Sequence, residues 1–366
     1  MTTNPSSQTP PAPQKSRRQK TPRTGGWRIR GLLLLAAGVA AYYGLEVGNQ
    51  LLVDHLANES PGDGVIQVLE TPIEEGTAIP APADPKMAAS SGPGNALLRQ
   101  SAAIIDRGDS LSASINQVGW LAGEAVQTQG VYHQLGGGDQ RRFLSELTGQ
   151  VSGTPTRLLR VSDGRFLWTD LAWGADPSKP KRAVTRIDLR RVREALDRSG
   201  ETGGPSDWKR FGGLPMLLAG LDASFAFGQP RRMQFRSETV LAVVGRWRPE
   251  RLEALSNTGP PADRAPQHVV VAVSETTRFP LMIEYRDARD PLSANGLPDD
   301  AMLRPSRRPL LKIELARQPL REQLDPRLFS YQPRDGAWSD QTARELRLVR
   351  AKRDATAIAS NQSATR

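Results

Sequence analysis

Cysteine is absent from the 366 residues. That excludes a disulfide framework, thiolate metal sites, a cysteine nucleophile and a lipid-modified N-terminal cysteine. Histidine is scarce: His55, His133 and His268 stand in three separate regions, so the sequence offers no multi-histidine metal centre. No G-x-G-x-x-G, P-loop or H-E-x-x-H pattern occurs, and no cofactor is called for. Aromatics are only 5% of the chain, whereas Gly and Pro number 33 and 29. An apolar fraction of 38% can bury a core, but not along the whole length, so the sequence predicts one folded unit between poorly packed ends.

The formal net charge is +10, and it is unevenly placed. Residues 1–30 hold seven basic side chains, from Lys15 to Arg30, and no acid. A second basic cluster, Arg344 to Arg353, lies near the other end. A nucleic-acid binder carries its basic residues on a folded face with stacking aromatics. Here most of the excess sits in a Pro-, Ser-, Thr- and Gln-rich tail, so nucleic acid is not an expected partner.

Behind that tail, residues 31–45 read GLLLLAAGVAAYYGL without a charge. Extending to Val53 reaches the roughly 20 residues a membrane span needs, but takes in Glu46, Asn49 and Gln50. Glu46 would lie about 21 Å along the helix, close enough to the far interface for its carboxylate to reach water. A signal anchor fits the basic flank and the positive-inside rule; a cleaved signal peptide fits the short apolar run; a buried core helix does not fit the flank. The anchor is the reading taken, with the rest of the chain outside the cytoplasm. The expected organisation is a basic tail (1–30), a single-pass inner-membrane anchor (31–53), a Pro/Gly/Ala-rich linker (54–95), a periplasmic domain (96–342) and a second basic tail (343–366).

Inside the domain the pattern reads as helix, many strands, two helices and more strands. A helix is expected over 96–113, with a break at Gly108. Short β-rich segments follow at 115–122, 126–134, 141–151, 155–162 and 165–171, punctuated by Gly136-Gly137-Gly138, Gly153 and Asp163-Gly164. Residues 185–197 read as an amphipathic helix and 214–219 as a short one. Strands are expected again at 232–247, 267–275, 280–286 and 309–316, with a polar hairpin loop over 287–308. About nine strands with grouped helices make the class α+β. Several strands carry apolar residues on both faces; sheet-on-helix packing and a helix-capped apolar pocket both account for that.

Gly108-Asp109-Ser110-Leu111 spells the block of one serine-hydrolase family. No histidine here has an Asp three residues before it, so Ser110 lacks its base; a helix end followed by a turn explains the same residues.

Three blocks resemble the LolA-like lipoprotein-carrier (outer-membrane lipoprotein-sorting) family. They are VQTQGVYHQ (126–134) with RRFLSELTGQV (141–151); LLRVSDGRFLWT (158–169); and FPLMIEYR (279–286), PLLKIELA (309–316) and LDPRLFSYQPRDGAWSDQT (324–342). The resemblance spans about residues 96–342. It implies an incomplete antiparallel β-barrel, a strongly curved sheet capped by helices, and a closing segment with an Asp-Pro-x-x-Phe strand. It also implies a non-enzymatic role, with a lipid or lipidated protein as partner. The positions matching the ligand-lining strands are Val131, Phe143, Leu158, Phe166, Trp168, Leu281 and Ile283. Two departures, the expected membrane tether and the added material at 185–220 and 287–308, argue against a soluble shuttle.

Overall fold

The computed structural model describes residues 66–68 and, between 92 and 347, all but 109, 122–123, 177, 199–211, 250–265, 288–301, 305, 307, 321–322 and 335. The expected membrane segment (31–53) and most of both tails lie outside the described residues. No described helix is long and apolar enough to cross a membrane.

Period-two alternation, with connections that range from two-residue turns to long loops, generates two antiparallel meanders. The first is β2 (Ser110–Leu121), β3 (Glu124–Leu135), β4 (Arg142–Val151), β5 (Thr154–Ser162), β6 (Phe166–Trp173) and β7 (Lys181–Asp188). The second is β9 (Arg231–Phe235), β10 (Glu238–Trp247), β11 (His268–Ser274), β12 (Pro280–Arg286) and β13 (Leu311–Arg317). The β4–β5 turn is Ser152-Gly153, at φ 49° and 71°, the mirror-image geometry that suits a two-residue hairpin. At the β5–β6 turn, the Asp163 carboxylate accepts from the N–H groups of Arg165 and Phe166.

β13 pairs antiparallel with β2, which fuses the two meanders into one fourteen-stranded, strongly curved sheet that does not close. β1 (Ile66–Val68), from the expected linker, pairs with β9 at one edge. β14 (Ser339–Asp340) pairs parallel with β7 at the other, and β8 (Phe225–Phe227) pairs with the end of β10. The extra strands beyond the expected nine are these short pieces, β7, and the division of the expected 232–247 strand into the β9–β10 hairpin.

Curvature has a visible cause in β3 and β4. A Cβ on Gly130 would meet the backbone oxygen of Glu146, and one on Gly149 would meet that of Gln127. The neighbouring strand folds in over each glycine, which only a missing side chain permits.

Among the described residues, the helices that accompany the sheet include α1 (Pro93–Arg107), α2 (Leu189–Arg198) and α3 (Gly213–Ser224). Two expected helix boundaries need correction. Residues 110–113 belong to β2, where they pair with 132–135. Residues 185–188 belong to β7, held by β6 through pairs such as Thr169–Thr185 and Phe166–Asp188; the Asp188 carboxylate then caps α2 by accepting from Arg191 N. Strand pairing outweighed helical spacing there. The Asp-Pro-x-x-Phe stretch is a 3₁₀ turn (Pro326–Phe329) rather than a strand, with Asp325 accepting from Arg327 N.

Candidate functional site

Residues paired across a ladder share a face, so the register assigns every strand side chain to one side of the sheet. One face runs through Val243, Val271, Ile283, Ile313, Gln117 and Thr128 in a continuous cross-strand row. A neighbouring row holds Leu315, Ile115, Gly130, Leu147, Leu158 and Leu171. α1 and α3 pack on this face and on each other. Leu97, Leu98 and Ile105 of α1 and Leu214, Leu217, Leu218 and Leu221 of α3 enter the same buried apolar cluster as the sheet residues.

The helices are tied down by a few polar groups, at their ends and at the middle of α1. The carboxamide of Asn95 donates to Asp222 Oδ1 (2.7 Å) and Phe225 O (2.9 Å) and accepts from Phe227 N (2.8 Å). Tyr132 OH accepts from Leu214 N, the start of α3, and donates to Gln134 Oε1; Gln134 Nε2 donates to Ile105 O near the end of α1. Ser101 Oγ donates to Arg278 O in the β11–β12 turn. Arg99 of α1 also pairs with Asp222 of α3 at 3.3 Å, and the rest of the contact is apolar. None of these anchors was singled out from the sequence. Tyr132 and Gln134 share the alternation of Val126 and Thr128, which marks the face, but nothing marks a partner far along the chain.

The seven residues proposed from the sequence do not converge. Phe143, Leu158 and Ile283 lie on the helix-bearing face, and Leu281, at the β11–β12 bulge, joins the same cluster. All four are buried, Ile283 completely. Val131, Phe166 and Trp168 lie on the opposite face, one strand position out of phase. Val131 is 37% exposed.

Trp168 meets the chain's own C-terminal segment, which runs as a strap across the opposite face, and Phe166 is linked to it through Arg186. Trp168 packs on Tyr331 and edge-on to Trp338, each at 5.4 Å between ring centroids. The Arg186 guanidinium lies over Phe166 (4.7 Å) and Trp338 (4.2 Å) and pairs with Asp340. Buried Asp170 fixes the strap: Arg182 reaches it in bidentate fashion at 2.8 Å, and Tyr331 OH donates to it at 3.0 Å. Burial by itself raises the Asp170 pKa, but the bonds from Arg182 and Tyr331 outweigh it and leave the carboxyl below its ordinary value.

Ser110 opens β2 opposite Leu135, and among the described residues no hydrogen bond joins it to a histidine or carboxylate. His133 lies on the adjacent strand. Its Nδ1 is buried without a partner, and burial lowers its pKa. The described residues contain no group of His, Asp and Glu that could hold a metal ion.

No protein-family model matches the chain, and no curated protein matches it. Solved structures that align with it include a DUF1329 family protein from Desulfovibrio piger, 12% identical with a TM-score of 0.29, over 65% of this chain and 96% of that one. An outer membrane lipoprotein-sorting protein domain from Vibrio parahaemolyticus is 16% identical with a TM-score of 0.26, over 61% and 90%. A LolA superfamily protein from Nitrosomonas europaea is 14% identical with a TM-score of 0.22, over 64% and 96%.

Proposed function

We propose that this chain is a membrane-anchored periplasmic module that takes up an apolar ligand, such as the acyl chain of a lipid or lipoprotein, between the sheet and α1–α3 without catalysis. The observation that carries this reading is the apolar layer on one face of an unclosed sheet, lidded by two helices that a few hydrogen bonds, from Tyr132, Gln134 and Ser101, hold to it. Separating α1 and α3 from the sheet exposes an apolar surface, with Phe143, Leu158, Leu281 and Ile283 available to line a groove. An acyl chain replaces the helix contacts methylene for methylene, at about 0.8 kcal/mol per buried CH₂. Such a site needs apolarity and shape rather than reactive groups, in keeping with Ser110 lacking a base. The basic flank before residues 31–53 supports the anchor and its orientation.

A second reading, an envelope sensor or scaffold with a permanently filled core, is favoured by the complete burial of Ile283 and Leu98. The two separate in one experiment. The full chain, purified in a fluorinated surfactant that does not mimic lipid, is solvent-extracted for mass spectrometry and then titrated with a fluorescent fatty acid. Co-purified lipid, or saturable uptake, supports the carrier reading. A clean extract with no uptake rejects it and leaves the sensor.

A further inference from the structure

The two edges of the sheet are closed unequally. At β7 the strap supplies β14 and is locked there. Gln341 N donates to Arg186 O, Thr342 Oγ1 accepts from Asp188 N, and Arg186 pairs with Asp340 at 2.7 Å. At the other edge, among the described residues, the cover is β1, three residues paired with Met233, Gln234 and Phe235 of β9. We propose that the outer edge of β9 is a strand-docking site with β1 as its exchangeable internal occupant. An extended peptide segment of a second protein, apolar at alternate positions, takes the site by displacing β1. This site stands independently of the acyl-chain reading.

Turn geometry fixes which backbone groups face outward. The two-residue turn Arg236-Ser237 joins β9 to β10, so Phe235 and Glu238 form the hydrogen-bonded closing pair. Bonded and non-bonded pairs alternate along an antiparallel ladder. The backbone N–H and C=O of Gln234 therefore point away from β10, and the register sets Gln67 directly opposite them. Gln67–Gln234 is the bonded pair of this short ladder; Ile66–Phe235 and Val68–Met233 are of the non-bonded kind.

β9 does not depend on β1 for its place. It pairs with β10 along all five of its residues, Met233 and Phe235 are buried in the core cluster, and the Arg232 guanidinium holds Glu275 beside the β11–β12 turn. β1 rests on one bonded pair, against the chain entropy of closing the 69–92 connection to α1. β1 also ends opposite Met233, so a longer incoming strand gains the Arg232 and Arg231 positions. A firmly held edge strand under a briefly paired one is the setting for strand addition.

The resident strand states the chemistry of its replacement. Residues paired across a ladder share a face. Ile66 and Val68 stand in register with Phe235 and Met233, both buried, and Gln67 with half-buried Gln234. The fitting pattern is apolar, polar, apolar. A slip of one residue sets a polar position beside Met233 and Phe235.

The test uses the full chain in the fluorinated surfactant and a fluorescein-labelled peptide of residues 63–71, followed by fluorescence anisotropy. Gln67→Pro removes the central N–H and vacates the edge. The absence of cysteine permits a clean lock, Gln67→Cys with Gln234→Cys, whose Cα atoms stand about 5.5 Å apart in a bonded pair. Gln67→Pro is expected to bind the peptide about tenfold or more tightly than wild type, because the tethered competitor is gone. The oxidised double variant is expected to lose the peptide, and reduction to restore it. A peptide carrying I66S and V68S is expected to bind Gln67→Pro about tenfold or more weakly. The thermal midpoint of Gln67→Pro is expected to match wild type. Any of these results overturns the assignment: no binding to Gln67→Pro, equal binding to wild type, Gln67→Pro and the oxidised chain, binding indifferent to the two serines, or a disulfide that does not form. A marked fall in the Gln67→Pro midpoint also overturns it, by making β1 a structural strand.

Discussion

Two buried ion pairs on the face opposite the helices make the sharpest demands on single residues. Asp170 is almost fully buried, and its charge is held by Arg182, Tyr331 and, at 3.8 Å, Arg157. Asp170→Asn removes the charge and leaves Arg182 half-buried without its carboxylate; breaking such a pair costs about 3 kcal/mol, measurable by urea unfolding. The pH dependence has a definite sign. The folded pKa is depressed, so this stabilisation is present above the ordinary aspartate range and is lost as pH falls through the lower folded value. Asp170→Asn is therefore expected to flatten the acid side of the stability profile, and an unchanged acid limb would contradict the assignment. Glu284 is the reverse case. Burial raises its pKa despite Arg286 beside it, and its Oε2 has no partner. Arg286 Nε donates to Glu284 Oε1, and its two remaining nitrogens donate to Met302 O and Arg304 O, pinning Met302 and Arg304 to the sheet. Arg286→Leu strips Glu284 of its compensating charge and is expected to cost about 3–5 kcal/mol in the same unfolding measurement.

At the scale of elements, strands were far more legible than their partners. Alternation and turn residues locate β3 to β6 and β11 to β13 within a few residues, because side-chain period and Gly or Asp-Gly turns are local properties, whereas the start of β2 reads as helix and the β9–β10 hairpin as one strand. The β7–α2 junction was not legible: Thr185 to Asp188 fit helical spacing, and only pairing with β6 makes them a strand. The candidate site suffered from the same locality. A list drawn from both phases of the alternation cannot share a face, so Phe166 and Trp168 separate from Phe143 and Leu158. The strap that occupies Trp168 arrives from more than 160 residues away. Gly130 shows where sequence does constrain the sheet. With Glu146 O standing where a Cβ would be, Gly130→Ala forces β3 and β4 apart through rigid backbone rather than a movable side chain. Loss of the cooperative unfolding transition is expected; a variant that melts like the parent would mean the β3–β4 curvature is not fixed by this contact.

For the molecule as a whole, the two faces of the sheet are closed in different ways, and the difference bears on function. The strap is fastened by charge: Arg182–Asp170, Arg186–Asp340 and the aromatic stack around them. α1 and α3 are fastened by apolar contact between a few hydrogen bonds. Exchanging the second kind of closure for a hydrocarbon chain breaks a few hydrogen bonds, Tyr132–Leu214, Gln134–Ile105 and Ser101–Arg278 among them, whereas opening the first unpairs the charge of buried Asp170. A ligand that inserts there binds the folded state alone, so stability must rise with its concentration, by about 2.7 kcal/mol at a hundred times its dissociation constant. Hydrogen exchange on the full chain localises the effect. Amides of α1 and α3 are expected to change protection when palmitate is added, while those of the strap around Tyr331 and Asp340 stay as they were. Protection that changes only in the strap, or melting that is indifferent to palmitate, would place any acyl chain away from the helix-bearing face and leave that face a filled core.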